Sequence, residues 1–466
     1  MRYASLAKAI IYGTLDDVLP WLEQGEDLND FDEYGFTPLI EAVIFDKKEI
    51  ITYILSQGAD PNFLSTTGHS ALHWACERGD VALCEVLLSK GANPNAYSRG
   101  GQPVLVLPFL RGQEEIKAVL YRYGARLDFA KDFIQAKLLA HRFELAGPVD
   151  IINHERHFIH LDMEGFFLEF TLSIVQHSLE RFRNSFAARH LRAYFGMFDE
   201  LIQAFKTAST LIHYQHFSLK PEQFTEEIDR LLTQQPLLLP VGYEGHAITF
   251  VQYQDILVKC DRGEWGREHG SVVIYRMTQP SRFNRDFIRD LLYKKQNAQT
   301  INVHLPQHLG LVAVTQLPIP VQITGNCSWA NTEAAIAVIL FLMTMKSMQS
   351  TQPDKVIQAK QEALLLYKQW LQWDKSTALS EHLQSLQGIS PERKASKLMQ
   401  LAALLFQKLR ASRAGDRRLA EVLLPHLLAP EYQYILKSYK QMFYLDKRTP
   451  QGVNMMQLIE SAGFSL

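Results

Sequence analysis

Residues 31–63 (FDEYGFTPLIEAVIFDKKEIITYILSQGADPNF), 64–96 (LSTTGHSALHWACERGDVALCEVLLSKGANPNA) and 97–129 (YSRGGQPVLVLPFLRGQEEIKAVLYRYGARLDF) align residue for residue. Gly25, Gly58, Gly91 and Gly124 recur every 33 residues, as do Gly35, Gly68 and Gly101. Each copy reads as turn, short helix, turn, longer helix and loop. The apolar set Leu39, Ala42, Val43, Ile50, Tyr53, Ile54 and Leu55 has helical spacing. One such hairpin cannot cover its own apolar face, so copies must stack into a solenoid whose surface binds another protein. The glycines end helices, where a left-handed residue is needed.

The array resembles the ankyrin family. Thr37, Pro38 and Leu39 stand at its TPL motif, and Ala71, Leu72, His73 and Ala75 supply the next copy. The resemblance covers residues 1–145, with an incomplete opening repeat at 5–30 and a capping helix around 133–145. The third copy departs from it: Gln102, Pro103 and Val104 replace the motif, and Pro108 interrupts the first helix. In this family the motif histidine ties adjacent loops, so His73 is expected to be structural. The loop residues Asn95, Tyr97, Ser98 and Arg99 are expected to meet a partner. Asn62 and Asn95 match positions that host asparagine hydroxylases modify in ankyrin proteins.

The whole chain has 466 residues, 47% of them hydrophobic and 21% charged, with a formal charge of −2. This suits roughly three globular units and gives no general drive toward nucleic acid or anionic membrane. The basic run Lys408, Arg410, Arg413, Arg417 and Arg418 reads as a solvated interhelical loop. No secretory signal is apparent, because Asp16 and Asp17 interrupt the N-terminal stretch. The apolar run Ala334–Met343 is about half of a bilayer span and reads as a buried helix. Cys76, Cys84, Cys260 and Cys327 have no paired spacing, so a reducing compartment is expected. His154, His157 and His160 lack companions at ligand spacing, so neither metal nor cofactor is assigned.

Beyond the array, three stretches are distinguished within an α+β, multidomain reading. Residues 146–345 form one domain, with helical, aromatic-rich patterns over 160–235 and antiparallel strand signals over 236–325. Residues 346–466 read as a helical C-terminal domain. Its end, RTPQGVNMMQLIESAGF, places Thr449 and Pro450 like one more degenerate ankyrin unit.

Chemistry gathers in the middle domain. His246, in GYEGHAITF, opens a strand, and Asp261 follows 15 residues later in CDRG, at the end of the next strand. A hairpin of that length brings the two together, and a carboxylate can then fix the imidazole's tautomer. Cys327, in QITGNCSWANTEAAI, opens an apolar helix, where a thiol beside a histidine is acidified. Gln322 and the Cys327 N–H are placed to hold an oxyanion, with Trp329 and Asn326 flanking the cleft. Cys260 reads as buried and inert. The chain has no GxxxxGK[ST] phosphate loop, HExxH helix or clustered CxxC pair.

This arrangement resembles the cysteine peptidases, in which a glutamine precedes the nucleophile. The order His246, Asp261, Gln322, Cys327 is similar to that of ubiquitin-like-protein proteases and related effector acetyltransferases, and a rearranged papain-like fold fits equally. HAITF, CDRGEWG and GNCSWAN, behind an ankyrin array, resemble the ankyrin H type of injected Legionella effectors over residues 1–345. That resemblance implies type IV secretion into a host cell, action in its cytoplasm or nucleus, and virulence. It also implies capture of a host protein by the array, with peptide or isopeptide hydrolysis by a papain-like thiol site. A non-catalytic scaffold with a protease-like fold, or a Cys-dependent acyltransferase, are the alternatives. No membrane partner and no direct nucleic-acid partner are expected.

Overall fold

The computed structural model describes residues 2–163, 165, 167–215, 221–243, 245–322, 325–349 and 352–466. Two compact units emerge. One comprises Met1–Ala136, Pro148–Asp162 and Ile389–Leu466; the other comprises Lys137–Gly147 and Met163–Gly388.

In the first unit the 33-residue period becomes helix pairs: Leu6–Tyr12 with Leu15–Leu22, Pro38–Ile44 with Lys48–Ser56, Ala71–Arg78 with Val81–Ser89, and Val106–Leu110 with Glu114–Arg122. Pro108 lies inside the third copy's first helix, which runs for only five residues. The two glycine series serve different ends. Gly25, Gly58, Gly91 and Gly124 have φ between 88° and 94°, with nothing near a built Cβ, so conformation alone requires them. At Gly68 a Cβ would also lie 2.3 Å from the Arg99 backbone nitrogen of the next loop, so packing requires it too.

Polar side chains stitch the copies together. Asn62 donates to the Gly91 carbonyl (2.9 Å) and accepts from Asn93 N–H (2.7 Å); Asn95 does the same to Gly124 (3.0 Å) and Arg126 (2.8 Å). His73 bonds Ser70 through Nδ1 and reaches the Gln102 carbonyl through Nε2 (3.2 Å), which ties neighbouring loops as expected. Burial lowers its pKa to about 3, so the ring is neutral.

Strands β1 (Pro148–Ile152) and β2 (Phe158–Asp162) form an antiparallel hairpin that the sequence reading did not anticipate. The helix Pro391–Lys408 packs on β1, with Ser396 Oγ donating to the Asp150 carbonyl. Its Arg393 and Lys397 meet the buried Asp132 at 2.6 and 3.0 Å. These contacts place residues 389–466 with the array rather than in a separate 346–466 domain. The final helix, Pro450–Ser461, starts on Thr449 as an N-cap, the device by which Thr37 starts Pro38–Ile44. Between helices, Arg410 donates its N–H to Asp416 and Arg417 its Nη1 to the Ala411 carbonyl, so part of the basic run braces the interhelical turn.

The second unit is built on a five-stranded antiparallel sheet with sequential order: β3 (Leu237–Tyr243), β4 (His246–Tyr253), β5 (Ile256–Cys260), β6 (Val272–Met277) and β7 (Leu311–Gln316). Pro240 is tolerated because β3 is an edge strand. Alternate residues face two cores. Leu238, Val251, Val258 and Ile274 join helices Leu168–Asn184, Phe195–His213, Cys327–Met348 and Pro353–Gln384, whereas Leu237, Leu239, Ile248 and Phe250 join Arg285–Tyr293. Covering both faces explains the unbroken apolar run of LLLPV. The 22-residue helix Cys327–Met348 is apolar on all sides and lies in the first core, as read for Ala334–Met343. Leu366 and Trp370 of the next helix pack there too, which draws residues 346–388 into this unit.

Candidate active site

The hairpin between β3 and β4 turns at Gly245 (φ +78°) and pairs Tyr243 with His246, so His246 is the first residue of its strand. The β4–β5 register ends at Thr249↔Cys260, so Asp261 follows opposite Ile248, which shares a strand face with His246. Such a diagonal pair is within side-chain reach. His246 Nε2 lies 2.9 Å from Asp261 Oδ1. Asp261 is 1% exposed. With Nε2 occupied, Nδ1 is the nitrogen left to face the Cys327 thiol, whose proximity helps to raise the His246 pKa.

Cys327 is the first residue of its helix, and its Sγ accepts the Ala247 N–H at 3.4 Å. Asn331, one turn on, shares that face: its Nδ2 donates to the Ala247 carbonyl (2.6 Å) and its Oδ1 accepts from Arg262 N–H (2.7 Å). One helix face thus holds the thiol against β4 and clamps the loop that carries Asp261.

The CDRGEWG loop is shaped around the His–Asp pair. A Cβ on Gly263 would lie 2.7 Å from His246 Cε1 and 3.3 Å from Asp261 Oδ1; one on Gly266 would lie 1.8 Å from the Asp261 carbonyl oxygen. Arg262 is buried, donating from Nη2 to Glu144 (2.7 Å) and from Nε to the Pro320 carbonyl (2.8 Å). Its carbonyl accepts the Gln322 N–H at 2.8 Å, so the same residue fixes both the acid loop and the expected oxyanion residue. Asp261 Oδ2 has no hydrogen bond of good geometry but stands 3.2 Å from Lys259 Nζ; the charge contact is the one that matters at this separation.

Electrostatics follow from these contacts. The Asp261 hydrogen bond, then the Cys327 thiol, raise the His246 pKa to about 9 against the opposing effect of burial. Burial pushes Cys327 up, but bonds from His246, Ala247 N–H and Ser328 N–H carry it below the ordinary thiol value. Asp261 is likewise pushed up by burial, and His246 and Lys259 bring it below the usual carboxylate range. These directions favour a thiolate–imidazolium pair at neutral pH.

Gln322 is 8% exposed, leaves its amide oxygen without a partner, and lines a cleft of about 500 Å³ together with His246, Gly263, Glu264 and Trp265. Two expectations are corrected. Trp329 is 1% exposed and bonds Glu333 through Nε1 (3.1 Å); two positions after Cys327, it points about 200° away, into the core. Asn326 is also buried, donating to the His141 carbonyl. Neither lines the cleft. Cys260 is buried, as expected, and its thiol is pushed up by desolvation. Arg262, Asn331, Lys259 and Glu333 were missed; the polar triplet Asn331, Thr332, Glu333 inside an apolar helix was the available signal. Within QITGNC, residues 323–324 lie outside the described residues.

In the array, the expected partner face is also corrected. Asn95 and Ser98 are buried, and Tyr97 packs edge-on against Phe129: Asn95 bonds the next repeat, whereas Ser98 Oγ accepts the Gln102 N–H of its own loop. Arg99 alone of the four is exposed. Exposed aromatic and aliphatic side chains lie instead on earlier loops, at Phe31, Tyr34, Phe63 and Leu64. Asn62 is exposed although its amide is bonded.

Comparison with known proteins places these features. Ankyrin repeats, in three copies, match residues 6–98. No curated protein matches. The solved structure of the Legionella effector AnkH is similar with 43% identity over 99% of this chain and 98% of that one, at a TM-score of 0.82. The chain, an ankyrin-repeat protein of multidomain α+β architecture, belongs to the AnkH family.

Proposed function

We propose that the chain is a bacterial effector delivered into a host cell, where its ankyrin array holds a host protein and Cys327 cleaves a peptide or isopeptide bond in it. The observation that carries the chemistry is the continuous chain Asp261, His246, Cys327, with the thiol at a helix start. Delivery rests on likeness to the Legionella effector AnkH, and capture on the array's exposed loops. Type IV secretion and a nuclear site of action remain parts of the proposal that the resemblance alone supports.

In this reading the Cys327 thiolate attacks the scissile carbonyl. The oxyanion meets the Cys327 N–H, which as the first of the helix has no intrahelical acceptor, and the amide of Gln322. His246 gives its proton to the leaving amine, and an acyl-enzyme forms on Sγ. Water then attacks the thioester while His246 takes its proton, releasing the acid and the thiolate. Asp261 keeps the imidazole oriented throughout. An amine in place of that water would make the same site an acyltransferase.

A panel of peptide and ubiquitin-like electrophilic probes tests this reading, with covalent adducts read by mass spectrometry. Labelling at Cys327 that needs His246 supports it and names the substrate class. Labelling that persists in Cys327→Ala, or that matches an ordinary thiol, removes the catalytic role and leaves a binding scaffold.

A further inference from the structure

The cleft beside His246 is walled by the short helix Glu264–His269, which presents Glu264 and Glu268 one turn apart. Both carboxylates are exposed, and among the described residues neither has an ion-pair partner. Other charges nearby are engaged: Lys259 sits 3.2 Å from Asp261, and His246 is held between Asp261 and Cys327. Trp265, between the two glutamates, is stacked on His269 at 4.1 Å and carries Lys259 Nζ 5.1 Å from its ring, so it stiffens the wall. The buried Gln322 also lines this cleft, and its amide oxygen has no partner, which calls for a donor. Tyr243, Ala298 and Asn302 complete a lining with no free cation of its own.

We propose that this cleft is a recognition pocket for a lysine or arginine side chain of the substrate, held by Glu264, Glu268 and the free amide oxygen of Gln322. The pocket is lined by His246 but not by Cys327. A side chain seated there therefore belongs to the part of the substrate next to the proton donor, on the leaving-amine side of the scissile bond. This rests on the reading of Cys327 as nucleophile, although the pocket can be tested without turnover.

Fluorescein-labelled Gly/Ala peptides carrying one lysine, norleucine or glutamate are titrated by anisotropy onto the full-length Cys327→Ala protein. Exposed charge pairs are individually weak, so two carboxylates predict about a fivefold to tenfold preference for lysine over norleucine, with glutamate weakest. In Glu264→Gln/Glu268→Gln the preference falls below about twofold, with an unchanged melting curve as the folding control. Glu268→Lys, a second variant at an exposed site, shifts the preference toward glutamate. Equal binding of the three peptides, no binding of any, or a lysine preference kept in the double glutamine variant overturns the proposal. Failure of Cys327 labelling with the lysine preference intact would instead overturn the nucleophile and leave the pocket standing.

Discussion

The array and the sheet unit bury polar groups in opposite ways. In the array each polar side chain answers to the repeat: Asn62 and Asn95 make the same two bonds 33 residues apart, and Arg78 and Arg111 each donate to a carbonyl 34 residues back. In the sheet unit one residue is answered by many distant ones, as Arg262 meets Glu144, Pro320, Ala330 and the region of Glu333. Repetition spreads stability over equivalent contacts, whereas convergence concentrates it on a few residues that also set the geometry of the thiol.

That contrast can be broken by mutation, beginning where the loss is greatest. Arg262→Leu leaves Glu144 and Glu333 without their buried cation and should cost about 3–5 kcal/mol in urea denaturation, with Cys327 labelling lost. A cost below 1 kcal/mol would show that the network is dispensable. Asn331→Ala strands the Ala247 carbonyl and the Arg262 N–H, and should cost about 2–3 kcal/mol while slowing labelling through misplacement of His246. Gly263→Ala pushes against His246 at 2.7 Å and should cut labelling strongly with a smaller change in melting, since its effect is local.

The array should respond more gently. Asn95→Ala removes two inter-repeat bonds at a buried site and should cost about 1–3 kcal/mol. Gly58→Ala meets no atom and only φ of +90°, so about 1 kcal/mol is expected. Labelling of Cys327 should be unchanged in both; loss of labelling would mean that the two units are energetically one.

How much was readable follows the same division. A 33-residue period makes every helix pair of the array visible, including the shortened helix at Pro108, because local pattern and packing coincide there. The β1–β2 hairpin was invisible, since PVDII and FIHLD are short and flanked by helical patterns. Cys327, His246 and Asp261 were legible because each sits at the end of an element beside glycine or opens an apolar run. Trp329 was misread because proximity in sequence was taken for proximity to the cleft, whereas helical geometry turns i+2 away and returns i+4, which is where Asn331 lies. Asn95 was misread for a similar reason: a loop position looks exposed until the next repeat covers it. The partners of Arg262 come from three segments, around Glu144, at Pro320 and on the helix carrying Ala330 and Glu333, and no local pattern announces them.

The pH dependence of Cys327 alkylation by iodoacetamide tests the thiolate–imidazolium pair most directly. His246, raised to about 9, stays protonated across the neutral range, and the thiol lies below its ordinary value. The wild-type rate should therefore fall less, and at lower pH, than that of a free thiol as pH drops from about 8.5 to about 7. In His246→Ala, with burial opposed only by the Ala247 and Ser328 N–H groups, it should drop about tenfold per pH unit below about 8.5. Superimposable profiles, both falling as for a free thiol, would contradict the assignment of Cys327 as an activated nucleophile.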